Sequence, residues 1–403
     1  MSSASSAGSV EHPFVSRTSA VLSPFGSSVF TEMSLLARKH GAVNLGQGFP
    51  DFDGPDFLKE AAYRAIRDGY GQYSRSFGAP DLNVAIADRF ARDCGLRVDP
   101  DAEITVTCGC TEAIAATLLG LVNPGDEVIL IEPFYDSYPA MVAVAGGTVR
   151  PVTLRPPHFS LDVDALKAAV TSRTKAILVN TPHNPTGHVF RRAELEAIAD
   201  LCERYNLICI ADEVYDRLVF EGEHISIATL PGMRERTVTL SSLGKTFSFT
   251  GWKIGWAIAP AHLTAGVRAA HQFLTFCAAT PLQMAAIEAL RTGAEYDRQF
   301  IAEYRARREL LVGGLKEAGF EVFAPEGTYF VMCDHSRFGF EDDLAFCRFL
   351  VREIGVAAIP PGSFYCNRSE GRKLVRFAFC KRDETLNAAI ERMRPLRSRL
   401  RSD

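Results

Sequence analysis

The sequence lacks long hydrophobic runs and any large excess of one charge. Its 403 residues carry a formal net charge of −4, so bulk electrostatics favours neither a nucleic-acid-binding protein nor a membrane-surface protein. No stretch reaches the roughly 18 consecutive apolar residues that suggest a membrane-spanning helix. The hydrophobic content of 47% and the charged content of 23% are typical of a soluble globular protein with a large core.

Paired cysteine motifs are also absent. The ten cysteines are scattered along the chain, none belongs to a Cys-x-x-Cys pair, and several lie in apolar runs such as LICIAD. This pattern favours reduced, mostly buried thiols over a disulfide framework or a zinc site. We therefore predict that the protein has no metal site.

The first residues, MSSASSAGSVEHPFVSRTSAVLS, lack the apolar segment of a secretory signal peptide. They are rich in Ser and Ala and poor in acids, as organelle transit peptides are, but Arg17 is the only arginine before Arg38. We predict a disordered tail over residues 1–20 of a cytoplasmic protein. An organelle-targeting segment is the alternative.

Helical and β-rich patterns alternate from about Leu58 to Pro260. The apolar runs EITVTCG, EVILIEP, KAILVNTP, LICIADE and TVTLSSL are typical of strands buried on both faces, and helical patterns such as ELEAIADLCERYN separate them. This alternation predicts βαβ units and a mainly parallel sheet covered by helices on both faces. After about residue 300 the pattern becomes mixed, which predicts a smaller α+β domain joined to the first by a long helix.

Polar segments follow four of the predicted strands at their C-terminal ends. They are CGCTEA, TPHNPTGH, ADEVYDRL and SSLGK. Open α/β sheets bind their ligands beyond these strand ends. Four such segments therefore indicate one shared crevice.

Two of these segments allow two interpretations each. Asp212 could cap a helix, or it could be a carboxylate that pairs with a protonated ring nitrogen, with the Tyr215 hydroxyl close by. NPTG (Asn184 to Gly187) is a common turn, with Pro second and Gly fourth. It becomes more informative because it directly follows a buried strand.

Another two segments suggest a phosphate site and a reactive amine. Gly109, Cys110 and Thr111 stand at a predicted helix N-terminus, where free N–H groups and the helix dipole favour phosphate. Lys245 could be an ordinary surface lysine, or a Schiff-base lysine whose burial makes the neutral amine accessible. In the second case Ser242 and Lys253 would complete the phosphate site.

Arg376 interrupts the apolar segment KLVRFAFCK. It could lie on the solvent face of a strand. Because an isolated buried charge is costly, a buried Arg376 would instead suggest a clamp for a substrate carboxylate, which suits the planar guanidinium group.

The segments NPTG, DEVY and SSLGKTFSFTGWKIGW, in this order, resemble those of the pyridoxal-phosphate (PLP)-dependent aminotransferases of class I/II, fold type I. The resemblance covers the chain from about Phe25 to Met393. LGQGFPDF, EPFYDSY, TPHNPTG and LVRFAFCK are most similar to those of the kynurenine aminotransferase, glutamine transaminase K and methionine aminotransferase group. Bacterial N-succinyldiaminopimelate aminotransferases are similar too.

The resemblance implies a fold and a division into domains. We expect a mainly parallel seven-stranded sheet in an α/β/α large domain, together with a smaller α+β domain. Residues 21–50 would form an N-terminal segment packed with the small domain, 51–300 the PLP-binding large domain and 301–403 the small domain. SSLGKTFSFTGWKIGW would be a loop around one end of the cofactor, with its aromatic side chains mostly in the core.

The resemblance also implies a role for each candidate residue around the ring of PLP. Lys245 would bind the aldehyde carbon and carry a proton, and Asp212 would keep the ring nitrogen protonated. Asn184 and Tyr215 would hydrogen-bond the ring 3-oxygen. Tyr135 would stack on the ring, with Phe134 as the alternative.

Further contacts are implied at the two ends of the site. The phosphate contacts would be Cys110, Thr111, Ser242, Lys253 and, from the neighbouring subunit, Tyr73. The substrate carboxylate would meet Arg376, Gly48 and Asn184. We expect the side-chain pocket to be apolar or aromatic, with Phe25, Tyr73, Tyr135, Phe364 and Tyr365 as candidates.

The function implied is ping-pong transfer of the α-amino group of an aromatic, sulfur-containing or glutamine-like amino acid to a 2-oxo acid. The implied assembly is a homodimer with shared active sites, with neither nucleic acid nor membrane as partner. A cysteine-conjugate C–S β-lyase and an N-succinyldiaminopimelate aminotransferase are the alternatives. A PLP-sensing transcription regulator is disfavoured, because its basic winged-helix module would have to precede Leu45.

Overall fold

The computed structural model describes residues 18–26 and 28–399. The predicted tail, residues 1–20, lies outside the described residues except for 18–20. The α-helices, in chain order, are α1 (Val29–His40), α2 (Asp56–Arg67), α3 (Pro80–Cys94), α4 (Cys110–Leu121), α5 (Ser137–Val144), α6 (Val163–Ala169), α7 (Arg192–Arg204), α8 (Leu243–Thr246), α9 (Ala261–Leu274), α10 (Thr280–Leu290), α11 (Ala294–Ala318), α12 (Asp343–Phe349) and α13 (Asp383–Met393). The strands are β1 (Val43–Asn44), β2 (Ile104–Thr107), β3 (Glu127–Glu132), β4 (Thr148–Thr153), β5 (Thr174–Asn180), β6 (Ile208–Asp212), β7 (Thr237–Ser242), β8 (Gly255–Ile258), β9 (Glu321–Phe323), β10 (Phe330–Asp334), β11 (Val356–Ala357) and β12 (Leu374–Ala378).

Seven strands form the central sheet, in the order β2-β8-β7-β6-β5-β3-β4. Only β8 runs against its neighbours. Alternate residues of the inner strands enter two separate hydrophobic clusters: Ile129 lies in one, and Val128 and Leu130 lie in the other. Burial of both faces explains the continuous apolar runs. The predicted mainly parallel seven-stranded sheet with helices on both faces is confirmed.

The segment SSLGKTFSFTGWKIGW contains more regular structure than the predicted loop. Its first two serines end β7, Leu243–Thr246 forms α8, and Gly255 and Trp256 begin β8. Gly255 pairs with Ser242 on one side and with Thr107 on the other. The prediction of a loop over the whole segment was wrong. Strand β8 begins soon after the tight turn at Lys253 and has only four residues. It is therefore too short to show the alternation of polar and apolar residues that identifies a strand in a sequence.

A smaller unit follows the large sheet. Strands β12, β10 and β9 form an antiparallel sheet, and β1 pairs in parallel with β11. The segment that contains β1 therefore hydrogen-bonds to a strand far along the chain. The long helix α11 packs against α13, and the proposed domain boundary at 300/301 falls within α11.

Across 18–26 and 28–399, every helix is too short or too polar to span a lipid bilayer. Within the same ranges, His, Cys, Asp and Glu side chains form no group of three or more suited to a metal ion. All ten cysteines are unpaired.

Candidate active site

A cavity of about 380 Å³ lies where strands β5, β6 and β7 end, beneath β10 and β12. Parallel strands present their carboxyl ends at one edge of the sheet, which is where such folds place ligands. Nine of the predicted site residues line this cavity: Gly48, Cys110, Thr111, Tyr135, Asn184, Asp212, Tyr215, Lys245 and Arg376.

Three predicted residues lie outside the cavity lining. Ser242 is the half-buried residue that precedes α8. Lys253 directs its side chain across Gly109, at the N-terminus of α4. Tyr73 is 80% exposed and makes an edge contact with Phe276, with ring centroids 5.1 Å apart. This chain does not bring Tyr73 to the site.

Asp212 is a buried acid at the end of β6. Tyr138 donates a hydrogen bond from its hydroxyl to Oδ2 at 2.6 Å, and the Cys110 thiol lies 3.7 Å from Oδ1. Burial raises the pKa of the Asp212 carboxyl, and the Tyr138 hydrogen bond partly opposes this rise. The chain forms a turn after Asp212 and not a helix, so the helix-cap interpretation was wrong. A carboxylate placed here is suited to a cationic partner such as a protonated ring nitrogen.

Asn184 belongs to the turn that follows β5. Asn180, the last residue of β5, accepts the Asn184 backbone N–H at its side-chain oxygen at 2.8 Å and donates to the carbonyl of Asp212 at 2.8 Å. Because Asn180 and Asp212 are paired in the sheet, the end of β6 and the NPTG turn are held together. The Asn184 side chain is thereby presented to the cavity beside Tyr215.

Lys245 lies in the last turn of α8, within the cavity. Its Nζ donates to the Tyr329 hydroxyl at 3.1 Å and lies 5.6 Å from the centre of the Tyr215 ring. Burial lowers the pKa of the Lys245 amine. The neutral form needed to attack a carbonyl is therefore more accessible than it would be on the surface.

Arg376 is only 2% exposed, so its placement on a solvent face is excluded. Its Nη2 donates to the carbonyl of Gly46 at 2.8 Å, and Nη1 lies 3.5 Å from the Asn184 side-chain oxygen. Nε is buried and has no hydrogen-bond partner among the described residues. Burial lowers the pKa of Arg376 to about 10, so the guanidinium stays charged at neutral pH and is suited to a carboxylate ligand.

The N-terminus of α4 lies at one corner of the cavity, at Cys110 and Thr111. Gly109 has a positive φ of 79°, and the first amide that bonds back to its carbonyl is that of Glu112. The N–H groups of Cys110 and Thr111 come before that bond. A Cβ on Gly109 would lie 3.0 Å from the Lys253 Nζ. Free amides, a helix dipole and a lysine at one point are suited to phosphate.

The choice between Phe134 and Tyr135 follows from burial. Phe134 lies in the hydrophobic cluster behind the sheet, and its N–H donates to the carbonyl of Phe364. Tyr135 lines the cavity and makes an edge contact with Tyr138. Tyr135 is therefore the aromatic ring available for stacking on a bound ring.

The aromatic pocket differs from the one we expected. Phe364 and Tyr365 are buried and do not line the cavity, and Phe25 borders a separate pocket. Of the expected residues, Tyr135 lines the cavity. Further apolar lining comes from Phe30, Phe49, Ile114, Val214 and Phe330.

Sequence reasoning also missed Tyr138, Asn180 and Tyr329. The first two had a local signal, because Tyr138 lies within EPFYDSY and Asn180 is a polar residue that ends a buried strand. Tyr329 lies more than eighty residues after Lys245 in GTYF, and no local pattern connects the two.

These features fit PLP without rearrangement of the chain. An acid for the ring nitrogen, an aromatic ring to stack on it, an amine for the aldehyde and an anion-binding corner for the phosphate surround one cavity. The buried, unpartnered Nε of Arg376 leaves a donor for the carboxylate of an amino acid.

Comparisons with known proteins agree with this geometry. The family model described as aminotransferase class I and II matches residues 40–393. The chain is 49% identical over 390 residues to the probable N-succinyldiaminopimelate aminotransferase of Mycobacterium tuberculosis, with 94% of this chain and 98% of the relative covered. The solved structure of the M. tuberculosis N-succinyldiaminopimelate aminotransferase has a TM-score of 0.92 and covers 94% of this chain and 100% of that chain.

Two further relatives are named for other amino-acid substrates. The methionine aminotransferase of Escherichia coli is 43% identical over 376 residues, with 93% of this chain and 97% of the relative covered. The kynurenine–oxoglutarate transaminase of Dictyostelium discoideum is 39% identical over 414 residues, covering 93% and 95%. The family model and these identities confirm the predicted resemblance: the chain belongs to the class I and II aminotransferases, is an enzyme of fold type I and uses pyridoxal phosphate as its cofactor.

Proposed function

We propose that this aminotransferase takes the α-amino group of an amino acid with an uncharged aromatic, thioether or amide side chain and passes it to a 2-oxo acid. One observation carries the proposal. Among the described residues that line the cavity, the cationic side chains are Lys245 and Arg376 alone. About half of the remaining wall is aromatic or aliphatic, and the rest consists of small or uncharged polar residues with the acids Asp136 and Asp212. With Arg376 taken by the α-carboxylate, this wall is suited to an uncharged side chain.

Lys245 is proposed to act on the substrate as the acid–base group. PLP, when bound, supplies an electron sink that stabilises negative charge on the substrate α-carbon. The lowered pKa of Lys245 leaves Nζ able to accept the α-proton of the substrate, and it would return that proton at the carbon that was the aldehyde carbon of the cofactor. The same residue then serves both halves of a ping-pong cycle, first with the amino acid and then with the 2-oxo acid.

Asp212, Tyr215 and Asn184 are proposed to hold the cofactor ring. Asp212 would keep a proton on the ring nitrogen, because a buried carboxylate strongly favours a cationic partner. Tyr215 and Asn184 face the cavity from neighbouring strand ends. They are positioned to hydrogen-bond the ring 3-oxygen, while Tyr135 stacks on the ring.

The α4 corner is proposed to hold the phosphate. Cys110 and Thr111 would contribute backbone N–H groups and Lys253 a point charge, with Ser242 contributing its hydroxyl from the end of β7. At the opposite side, Arg376 would bind the substrate carboxylate in the bidentate manner typical of guanidinium groups, with Gly48 and Asn184 beside it.

We also propose a homodimer with shared active sites. Tyr73 does not line the cavity of its own chain and is highly exposed, which is expected of a residue that completes the phosphate site of a partner. Ten unpaired cysteines support a reducing compartment such as the cytoplasm as the place of action.

N-succinyldiaminopimelate remains the second candidate donor. It is favoured by the 49% identity to the M. tuberculosis relative of that name. It carries carboxylates besides the one that Arg376 would bind. The described lining has no further arginine or lysine for them, so we rank it below uncharged donors.

A panel of amino donors tests the proposal. Kynurenine, methionine, glutamine, phenylalanine, aspartate and N-succinyldiaminopimelate are each paired with pyruvate, phenylpyruvate and 2-oxoglutarate, and kcat/KM is measured. We expect the uncharged donors to exceed aspartate and N-succinyldiaminopimelate by about tenfold or more, since one unpaired buried carboxylate costs several kcal/mol. A preference for N-succinyldiaminopimelate would overturn the proposed substrate class.

Two controls accompany the panel. Lys245→Ala should lose both turnover and the visible absorbance of lysine-linked PLP, and a variant that kept both would refute the proposed role of Lys245. Pyruvate release from a cysteine S-conjugate without any 2-oxo acid reports on the β-lyase alternative.

A further inference from the structure

Tyr329 is the hydrogen-bond partner of Lys245 and has no role in the proposed function. It is 0% exposed and lies immediately before β10, in the smaller unit. Lys245 lies in α8, directly after β7 of the large sheet. The Lys245 Nζ donates to the Tyr329 hydroxyl oxygen at 3.1 Å. The contact therefore joins the amine to a different part of the fold.

The Tyr329 hydroxyl has a defined direction. It donates its single proton to the carbonyl of Gly48 at 2.6 Å. A hydroxyl has one donor and two acceptor sites, so the oxygen can only accept from Lys245 in this arrangement. Such an acceptor stabilises the charged ammonium form more strongly than the neutral amine, which keeps two N–H groups and can still donate one of them.

Packing fixes the Tyr329 ring as well as its hydroxyl. The ring makes edge contacts with Tyr215 and Phe330, with centroids 5.3 Å and 4.8 Å away. A Cβ on Gly48 would lie 2.6 Å from the Phe330 ring, so the backbone of Gly48 is pressed against this cluster. The acceptor oxygen therefore has little freedom to follow a moving lysine.

The carbonyl that receives the Tyr329 proton lies next to the carboxylate clamp. Gly46, two residues before Gly48, accepts the Nη2 donor of Arg376 at 2.8 Å, and the Arg376 guanidinium lies 4.2 Å from the centre of the Phe330 ring. One short segment of backbone thus contacts both the clamp and the tyrosine that holds the lysine.

We propose that Tyr329 is a positioning residue that holds the free amine of Lys245 in place whenever the lysine is not bonded to the cofactor. The inference rests on the proposed role of Lys245. A held amine stays close to the substrate α-carbon while it moves a proton, and it stays close to the cofactor for the bond that reforms at the end of each half-reaction. An unheld lysine would sample rotamers that lead away from both.

Other titratable groups also act on the Lys245 amine. They are Asp212 of β6, Cys110 of α4, Cys380 after β12 and Lys253 before β8, besides the nearby Tyr215. Burial raises the pKa of Tyr215, and its hydrogen bond with Tyr329 partly opposes this rise. Tyr329→Phe therefore removes a partner of Tyr215 together with the acceptor for Lys245.

The test uses Tyr329→Phe with Tyr304→Phe as the matched control. Tyr304 is another buried tyrosine of the same cluster, with its ring centroid 6.2 Å from that of Tyr329, and it does not line the cavity. For Tyr329→Phe we expect kcat to fall by about tenfold to a hundredfold with KM nearly unchanged, as loss of a hydrogen bond to a charged group predicts. Tyr304→Phe should keep the wild-type kcat.

A second readout follows the free amine directly. The cofactor is removed from each full-length protein, PLP is added back, and the rate at which visible absorbance returns is measured against pH. The bond forms between the neutral amine and the aldehyde with release of one water, so the rate rises as Lys245 loses its proton. Loss of the acceptor lowers the pKa of the amine, and we expect the midpoint for Tyr329→Phe to lie about half a pH unit or more below wild type.

The ionisations of PLP are common to all these proteins and cancel in the comparison. An unchanged midpoint, or equal effects of Tyr329→Phe and Tyr304→Phe on kcat, would overturn the inference. Lys245→Ala distinguishes the two levels of the argument. If it still gains the absorbance of lysine-linked PLP, the proposed function of Lys245 fails. If it does not, while Tyr329→Phe behaves as wild type, only the role of Tyr329 fails.

Discussion

At the scale of the residue, Arg376 shows how burial decides between two uses of one side chain. Its guanidinium is held by the carbonyl of Gly46 and lies between the rings of Phe30, Phe330 and Phe364. Because aromatic rings surround the guanidinium group, its hydrogen bonds form within the plane of that group, where its N–H groups project as a fork. A carboxylate that approaches in this plane can meet two N–H groups at once.

We predict that Arg376→Lys will retain the charge but lose this fork. KM for the amino donor should rise by about tenfold to a hundredfold, because a charge-assisted hydrogen bond contributes about 1.5–3 kcal/mol, and kcat should change less. Steady-state kinetics with kynurenine or methionine measures both values. Arg372→Lys, at an exposed position just before the same strand, is the control, and an equal rise of KM in both variants would contradict the clamp.

The site could be predicted where residue type and local position agree. Asp212 ends a buried strand, and Asn184 and Lys245 follow buried strands. A purely structural role does not readily explain why a lysine, an acid and an amide all occur at such places. Tyr138 and Tyr329 escaped because their hydrogen bonds to Asp212 and Lys245 join elements far apart in the chain. A buried tyrosine is otherwise ordinary core.

At the scale of the element, the NPTG turn is packed against a loop of the smaller unit. Gly187 has a φ of 75°, and its carbonyl accepts the N–H groups of Glu326 and Gly327 at 3.0 and 2.8 Å. A Cβ on Gly187 would lie 2.2 Å from the Pro325 side chain. The loop at 325–327 leads directly into Tyr329, so the turn that presents Asn184 and the loop that presents Tyr329 depend on one contact.

Gly187→Ala should therefore destabilise the folded protein by more than backbone strain alone would. A non-glycine residue at positive φ lowers the free energy of unfolding by about 1–2 kcal/mol. Here the added methyl group would also push the NPTG turn away from the loop at 325–327. Gly125→Ala is the matched control, since Gly125 has a φ of 92° with open space around it. We expect Gly187→Ala to lower the midpoint of thermal unfolding further than Gly125→Ala and to reduce kcat/KM. Equal effects of the two substitutions would show that the contact is unimportant.

The same scale shows which elements could be predicted. Strand β3 is buried along its whole length and β5 and β6 along most of theirs, which gives the apolar runs. β8 has four residues and begins with a glycine, because a side chain at Gly255 would strike the backbone of Gly109. The close packing of β8 against the start of α4 determines its sequence, so the sequence alone gives little indication of a strand.

At the scale of the whole molecule, several large apolar side chains remain on the surface of this chain. Tyr70, Tyr73, Phe273, Leu274 and Phe276 are between 43% and 85% exposed. Tyr73 and Phe276 touch, and Thr280 donates to the carbonyl of Gln72, so the two segments form one patch. Contiguous exposed apolar patches on soluble proteins usually mark interaction surfaces.

If this patch joins two copies, charge placed at its centre should separate them. We predict that Phe273→Asp shifts the protein from dimer to monomer, measured by analytical ultracentrifugation, and lowers activity with it. Tyr205→Asp is the control. Tyr205 is also an exposed aromatic residue, but it lies in the connection between α7 and β6. A protein that is monomeric before substitution would exclude the proposed assembly.

Mixing two inactive or weakened chains gives the sharper test of shared sites. In a dimer of Lys245→Ala with Tyr73→Ala, one site would combine both changed residues, and the other would combine the intact Lys245 of one chain with the intact Tyr73 of its partner. Random re-association of equal amounts makes about half of the dimers mixed, by the two-fold symmetry of such an assembly. We expect activity clearly above that of either variant alone, and visible absorbance in proportion to the intact Lys245. If Tyr73 acted within its own chain, no mixed dimer would contain an intact site, and the activity would remain the average of the two variants.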